Sequence, residues 1–342
     1  MVIGTPAHEK HYLLTAGSHL LFARDSQRQN ASFLFFSISS LDRKPDSKAS
    51  HLLCFAALTG DFCLQLLPQT QARNEKNGQR PRLGQINFVN CLPVHLPLTT
   101  GKVQVEADIT EETPANLNSG YSTGALDLGA MSSFYYLSNQ DDLVLLPGLS
   151  ISTYKEVGSV LFFNKSRIKN GSQIVVPASS ATSVALLRLY LACVHGVEAN
   201  ITASQRPDLN AGGFEAALVI GDRALTVDAD WTKHAERVDL GQWWSANFKT
   251  PMVFGVWAAR KAWYETNKEA FQKLADELRT ARDLGLSTLF EAVLDQAQTR
   301  TELSRNRLRR YFLEELDYSL SDEHLKGLEL FKEQLKEKAF LD

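Results

Sequence analysis

Short hydroxyl and amide side chains recur at the ends of the apolar segments of this 342-residue chain. Asn90 follows LGQINFV, Thr113 stands just beyond VQVEADI, Ser132 and Ser133 close LDLGAMSS, and Ser150 and Ser152 close LVLLPGLSIS. Further on, Ser179, Ser180, Thr182 and Ser183 lie between QIVVP and an apolar helical pattern, and Asp222 follows AALVIG. Such groups give directed hydrogen bonds without a bulky counter-charge, and beside a helix N-terminus they bind anions. The chemistry they suit is the capture of a small carboxylate. Each residue taken singly has a plainer use. Thr113, Ser180 and Thr182 are good N-caps, Asn90 before Cys-Leu-Pro suits a turn, and Asp222 caps its segment or pairs with Arg223. The recurrence at segment ends carries the reading, and no single residue does.

Other chemistries find less support. The eight histidines form no HxxxH or HxH pair, and Cys54, Cys63, Cys91 and Cys193 form no CxxC, so no zinc site is expected. There is no GxGxxG after a strand pattern and no GxxxxGK[ST] for nucleotides, nor a GxSxG elbow for a serine hydrolase. Cys91 has no local residue marked as its general base. A net charge of −3 gives no electrostatic ground for nucleic acid or an acidic membrane. No apolar run reaches the ~18–20 residues of a membrane span. The first twenty residues lack the basic-then-apolar order of an export signal, and the cysteines read as reduced thiols, so cytoplasmic residence is expected.

The elements that must position these residues follow from the pattern. From residue 82 onward, strand patterns (83–89, 103–109, 126–133, 143–152, 157–164) alternate with helical ones. The alternation resumes with QIVVP, AALVIGDRAL and MVFGVW, then gives way to a helical tail over 264–339. This predicts an α/β fold with a largely parallel sheet covered on both faces, whose ligands gather at the carboxyl ends of the strands. Residues 1–81 differ in texture: nine Lys/Arg against six Asp/Glu, and a polar string over 69–82 that reads as a linker. Within them, 31–39 and 51–67 form strands or one short helix. The segment reads as a poorly ordered extension, an accessory hairpin, or sequence upstream of the functional start, with the first and third favoured.

The strings INFVNCLPV, TPANLNSG, LDLGAMSS, LPGLSISTYKEVGSVLFF, ATSVALLRLYL, AALVIGDRAL and DLGQWW, in unbroken order over about 82–335, resemble the MqnA/MqnD menaquinone-biosynthesis family. The Asn-x-x-Pro opening is most like the MqnA branch, chorismate dehydratase of the futalosine pathway. The resemblance implies a two-lobed type II periplasmic-binding-protein-like fold with a helical C-terminal tail: lobe one over 82–165 plus 255–342, lobe two over 166–254. It implies removal of water from chorismate to give 3-[(1-carboxyvinyl)oxy]benzoate, with no metal or organic cofactor and a small dicarboxylate as substrate. By motif position Asn90, Ser132 and Ser133 are the catalytic contacts. Thr182 and Ser183 hold a carboxylate from lobe two, with Thr113, Ser152, Ser180 and Asp222 as further substrate contacts. Two positions depart from the pattern: Tyr135 stands where an acidic residue is usual, and Ala181 where an arginine is common. The alternatives are a non-catalytic solute-binding protein for a small carboxylate and a MqnD-like dihydroxynaphthoate-forming enzyme.

Overall fold

The computed structural model describes the backbone of residues 9–16, 19–28, 31–40 and 51–56, and residues 80–341 with their side chains. It divides into two compact units, Met1–Lys76 and Asn77–Asp342. In the first, β1 (Glu9–Ala16), β2 (His19–Arg28), β3 (Ala31–Ser40) and β4 (His51–Ala56) pair in chain order as an antiparallel sheet. The expected linker over 69–82 falls outside the described residues up to position 79.

The second unit holds two five-stranded sheets, one per lobe. Lobe one contains β5 (Arg82–Ile86), β6 (Asp108–Glu112), β7 (Leu128–Ser132) and β8 (Leu143–Thr153), and lobe two contains β9 (Val160–Asn164), β10 (Gln173–Pro177), β11 (Asn200–Ser204), β12 (Ala216–Ile220) and β13 (Glu236–Asp239). The last strand, β14 (Met252–Arg260), returns to lobe one, giving orders β6-β5-β7-β14-β8 and β11-β10-β12-β9-β13. The alternation predicts largely parallel sheets, but each contains one reversed strand. β14 is antiparallel to both neighbours in lobe one, and β9 to both neighbours in lobe two. The reason lies in the route of the chain. The parallel strands of each lobe end at the cleft, so a strand arriving from the other lobe starts there and runs the opposite way. For the same reason lobe two's sheet already includes Val160–Asn164, ahead of the expected boundary at 166.

The second strand is also later than the pattern predicts. Val103 to Ala107 run irregularly, with Val103 and Ala107 buried, and the ladder with β5 starts at Arg82 opposite Asp108. Helices α1 (Leu92–Thr99), α2 (Pro114–Thr123) and α3 (Ser133–Ser138) follow strands of lobe one, and α4 (Ala181–Tyr190), α5 (Gly221–Trp231) and α6 (Leu240–Phe248) belong to lobe two. The tail forms α7 (Lys261–Tyr264), α8 (Lys268–Gly285), α9 (Phe290–Thr301), α10 (Arg305–Arg310) and α11 (Asp322–Glu337). In α8 the buried residues Phe271, Leu274, Ala275, Leu278 and Ala281 recur at the spacing that lays one helix face on a core. Among the described residues no helix is long and apolar enough to cross a membrane.

One buried carboxylate ties the two interlobe crossovers together. Asp239 accepts the Val157 N–H at 3.2 Å and the Gly158 N–H at 2.8 Å on the outgoing crossover. On the returning one it caps α6 through the Gln242 N–H at 2.9 Å. Gly158 has φ +66°, and a Cβ there would meet the buried Glu315 carboxylate, so the crossover needs glycine on both counts.

His95 on α1 is 4% exposed, and burial, with the nearby Arg300 charge adding to it, pushes its pKa down to about 3. The unfolded chain protonates this imidazole below about 6.5. Between those values the unfolded state binds the extra proton, so stability falls as pH drops through that window, by at most about 1.4 kcal/mol per pH unit from this group. Replacing His95 with Gln is expected to flatten the pH dependence of urea unfolding between pH 4 and 6, roughly the middle of that window. An unchanged slope would assign the acid sensitivity to other groups.

Candidate functional site

A cavity lies between the lobes where the strands end, with about 570 Å³ of empty space including its mouth. Ile86, Phe88, Pro114, Ile151, Ile220 and Phe254 supply an apolar wall, and Asn90, Ser132, Ser159, Ser180 and Ser183 supply the polar one. Among the described residues no charged side chain lines it.

Each polar residue is set by its local backbone. Asn90 sits in a 3₁₀ turn (Val89–Cys91) between β5 and α1, where Leu92-Pro93 starts the helix. Its Oδ1 is buried without a hydrogen-bond partner among the described residues. Its backbone carbonyl accepts the Tyr318 hydroxyl at 2.8 Å, which fixes the turn from below. Ser132 ends β7 and caps α3, its Oγ accepting the Tyr135 N–H at 3.2 Å. Ser180 caps α4 by accepting the Ser183 N–H at 3.4 Å, and its hydroxyl donates to Ser183 Oγ at 2.9 Å. The α5 N-terminus also reaches the cavity at Ile220 and Gly221, and no side chain caps it. Two helices of ten and eleven residues therefore start at this wall, and helix N-termini favour anions by ~0.3–1 kcal/mol each at exposed sites, more when partly buried. Cys91 lies on the same wall, but burial pushes its thiol up to about 12, which leaves it protonated and a poor nucleophile.

Of the nine residues given site roles from sequence, four come together here: Asn90, Ser132, Ser180 and Ser183. The others take structural positions. Thr113 caps α2 through the Asn116 N–H at 3.4 Å and lies outside the lining, next to Pro114, which belongs to it. Ser133 is fully buried, its Oγ unpartnered. Ser152 donates to the Asp317 carbonyl at 3.0 Å and, with Ser150 bonded to the Ser319 carbonyl, anchors the segment between α10 and α11 on β8. Thr182 and Asp222 join lobe to lobe. Thr182 Oγ1 accepts the Phe134 N–H at 2.9 Å. Asp222 accepts the Val89 N–H at 2.9 Å and pairs with Arg300 at 2.8 Å, while Arg300 also donates to Asn87 Oδ1 and to the Asn87 carbonyl, each at 3.0 Å. These contacts bridge the two lobes directly. Tyr135 is not in the lining; its hydroxyl pairs with Ser122 at 2.8 Å. Ala181 lies in a neighbouring groove that meets the cavity at Ser180.

The sequence reading overlooked Ser159 and Phe254. Both lie inside apolar strings, VGSVLFFN and MVFGVW, that read as buried strand. The available signal was that these are the two strings crossing between lobes, where a strand's first residues face the cleft.

Two α/β lobes with paired crossovers and a ligand cavity between them define a protein of the periplasmic-binding-protein-like fold. Within that class the chain belongs to the MqnA/MqnD menaquinone-biosynthesis family, whose profile matches residues 81–337. A chorismate dehydratase of Thermus thermophilus is 32% identical over 273 residues, covering 74% of this chain and 94% of that protein. Among solved structures, a protein of Archaeoglobus fulgidus is similar at TM-score 0.63 and 21% identity, covering 76% of this chain and 98% of its own. The alkanesulfonate-binding protein of Xanthomonas axonopodis pv. citri, bound to MOPS, is similar at TM-score 0.55 and 14% identity, covering 78% and 96%. At those identities the structural likenesses speak for the fold.

Proposed function

We propose that the chain is a chorismate dehydratase, removing water from chorismate to give 3-[(1-carboxyvinyl)oxy]benzoate in the futalosine route to menaquinone. The observation that carries this reading is the wall itself: uncharged donors and two helix N-termini beside aromatic side chains, and among the described residues no carboxylate, imidazole or amine in the lining. A site so furnished suits a reaction in which the substrate brings its own base.

Chorismate carries a ring carboxylate and a side-chain carboxylate. Loss of the ring hydroxyl and one ring proton completes an aromatic ring, so the product is strongly favoured. The task left to the protein is to hold a flexible dianion so that its side-chain carboxylate reaches that ring proton, and to stabilise charge as it develops. Asn90 orients the ring carboxylate or the developing enolate, and Ser132 or Ser159 donates to the departing hydroxyl. Ser183, whose hydroxyl accepts from Ser180 and keeps its own proton free, holds the second carboxylate from lobe two with the start of α4. Phe88 and Phe254 enclose the ring and exclude water. The lobe-to-lobe bonds of Asp222 and Thr182 must part for substrate to enter and re-form over it.

Incubating the protein with chorismate is expected to yield a product lighter by one water that carries an aromatic ring. Recovery of intact, tightly bound chorismate with no such product would favour a solute-binding role, which fold relatives with ligand-binding names keep in view.

A further inference from the structure

We propose that Tyr311 is a positioning residue: its hydroxyl donates to Ser159 and so turns the serine's own proton into the cavity, toward an oxygen of the bound anion. The proposal rests on the reading of the cavity given above.

Ser159 is 2% exposed, on the crossover just before β9, and lines the cavity. Its backbone is fixed, since its carbonyl accepts the Gly221 N–H at 2.8 Å. Tyr311 is fully buried at the end of α10, and its hydroxyl donates to Ser159 Oγ at 2.9 Å. That is the only hydrogen bond of either hydroxyl among the described residues. A buried phenol must place its proton on an acceptor or bear the cost of burying it unpaired, and the acceptor within reach is Ser159. Burial also raises the Tyr311 pKa, which keeps that proton on the phenol. A serine hydroxyl has one proton and two lone pairs. With a lone pair taken from behind, its proton remains free for the cavity side and is polarised by the donor behind it. The Tyr311 ring is itself held, with the Arg307 guanidinium 5.8 Å above its centroid and Phe312 packed at 5.4 Å.

The phenol lies behind the serine, so its influence on the reaction has to pass through Ser159. Tyr311→Phe keeps the ring and its packing and is expected to lower kcat/KM for chorismate about fivefold. Ser159→Ala is expected to lower it about a hundredfold. In the Ser159→Ala background, Tyr311→Phe is expected to add nothing, because the group it acts through is gone. A ring-fluorinated tyrosine at 311, which retains the proton, is expected to keep the wild-type value. Multiplicative losses, or a wild-type value for Tyr311→Phe, would overturn the proposal. An activity-independent reading comes from NMR of tyrosine-labelled protein. The Tyr311 hydroxyl proton is expected to exchange slowly and to resonate downfield, moving upfield in Ser159→Ala. A proton already at the free-phenol position in the wild type would overturn the proposal whether or not chorismate is the substrate. A downfield, Ser159-dependent proton in a protein without chorismate turnover would sustain the contact and sink only the substrate assignment.

Discussion

Asn90→Ala is expected to abolish most turnover of chorismate, by about 10²–10³ in kcat, the usual loss when one preorganised donor to developing charge is removed. The same substitution is expected to leave stability unchanged or raise it. Asn90 Oδ1 is buried with no partner among the described residues, and an unpaired buried acceptor costs about 1–3 kcal/mol that alanine would not incur. The turn itself is held through the backbone, by the Tyr318 hydroxyl on the Asn90 carbonyl, and that bond survives the substitution. Turnover assays paired with thermal unfolding check both halves. A variant that loses activity together with stability would make Asn90 a structural turn former, the plainer reading of its place before Cys-Leu-Pro.

The largest expected loss of stability comes from Gly129→Ala. Gly84 and Gly129 face each other in the parallel ladder between β5 and β7, and the Tyr121 hydroxyl passes beside them to donate to the Ala130 carbonyl at 3.0 Å. A Cβ on residue 129 would stand 2.1 Å from the Gly84 carbonyl oxygen and 2.6 Å from the Tyr121 hydroxyl, at a φ of +145°. Backbone strain of ~1–3 kcal/mol and overpacking of ~1–3 kcal/mol add to roughly 4 kcal/mol, which lowers Tm by roughly 10 °C for a unit of this size. β7 ends in Ser132, so the cavity wall loosens with it. Thermal unfolding of the full chain measures this directly, and a shift of only a degree or so would mean the two strands separate at little cost.

The alternation of strand and helix was legible because buried parallel strands are apolar runs, and QIVVP coincides with β10 to the residue. The direction of β9 and β14 was not legible, because a strand's sequence is the same whichever end it enters from. The second strand starts later than its pattern suggests because Val103 and Ala107 are buried ahead of the ladder, which begins at Asp108, and so give irregular chain the look of an alternating strand. At the site, Ser180 and Ser183 could be read as the start of a helix facing the cleft. Asp222 and Thr182 could not be told from them, since a group that binds the other lobe and one that binds a ligand stand at the same strand ends. Only their partners, the Val89 and Phe134 N–H groups, separate the two.

A crystal structure of the protein with 3-[(1-carboxyvinyl)oxy]benzoate bound tests the central claim most directly. The ligand is expected in the interlobe cavity, with one carboxylate at Asn90 and the other at Ser183, at the start of α4. Density for the ligand elsewhere, or lobes closed over a cavity that excludes it, would contradict this assignment of the cavity.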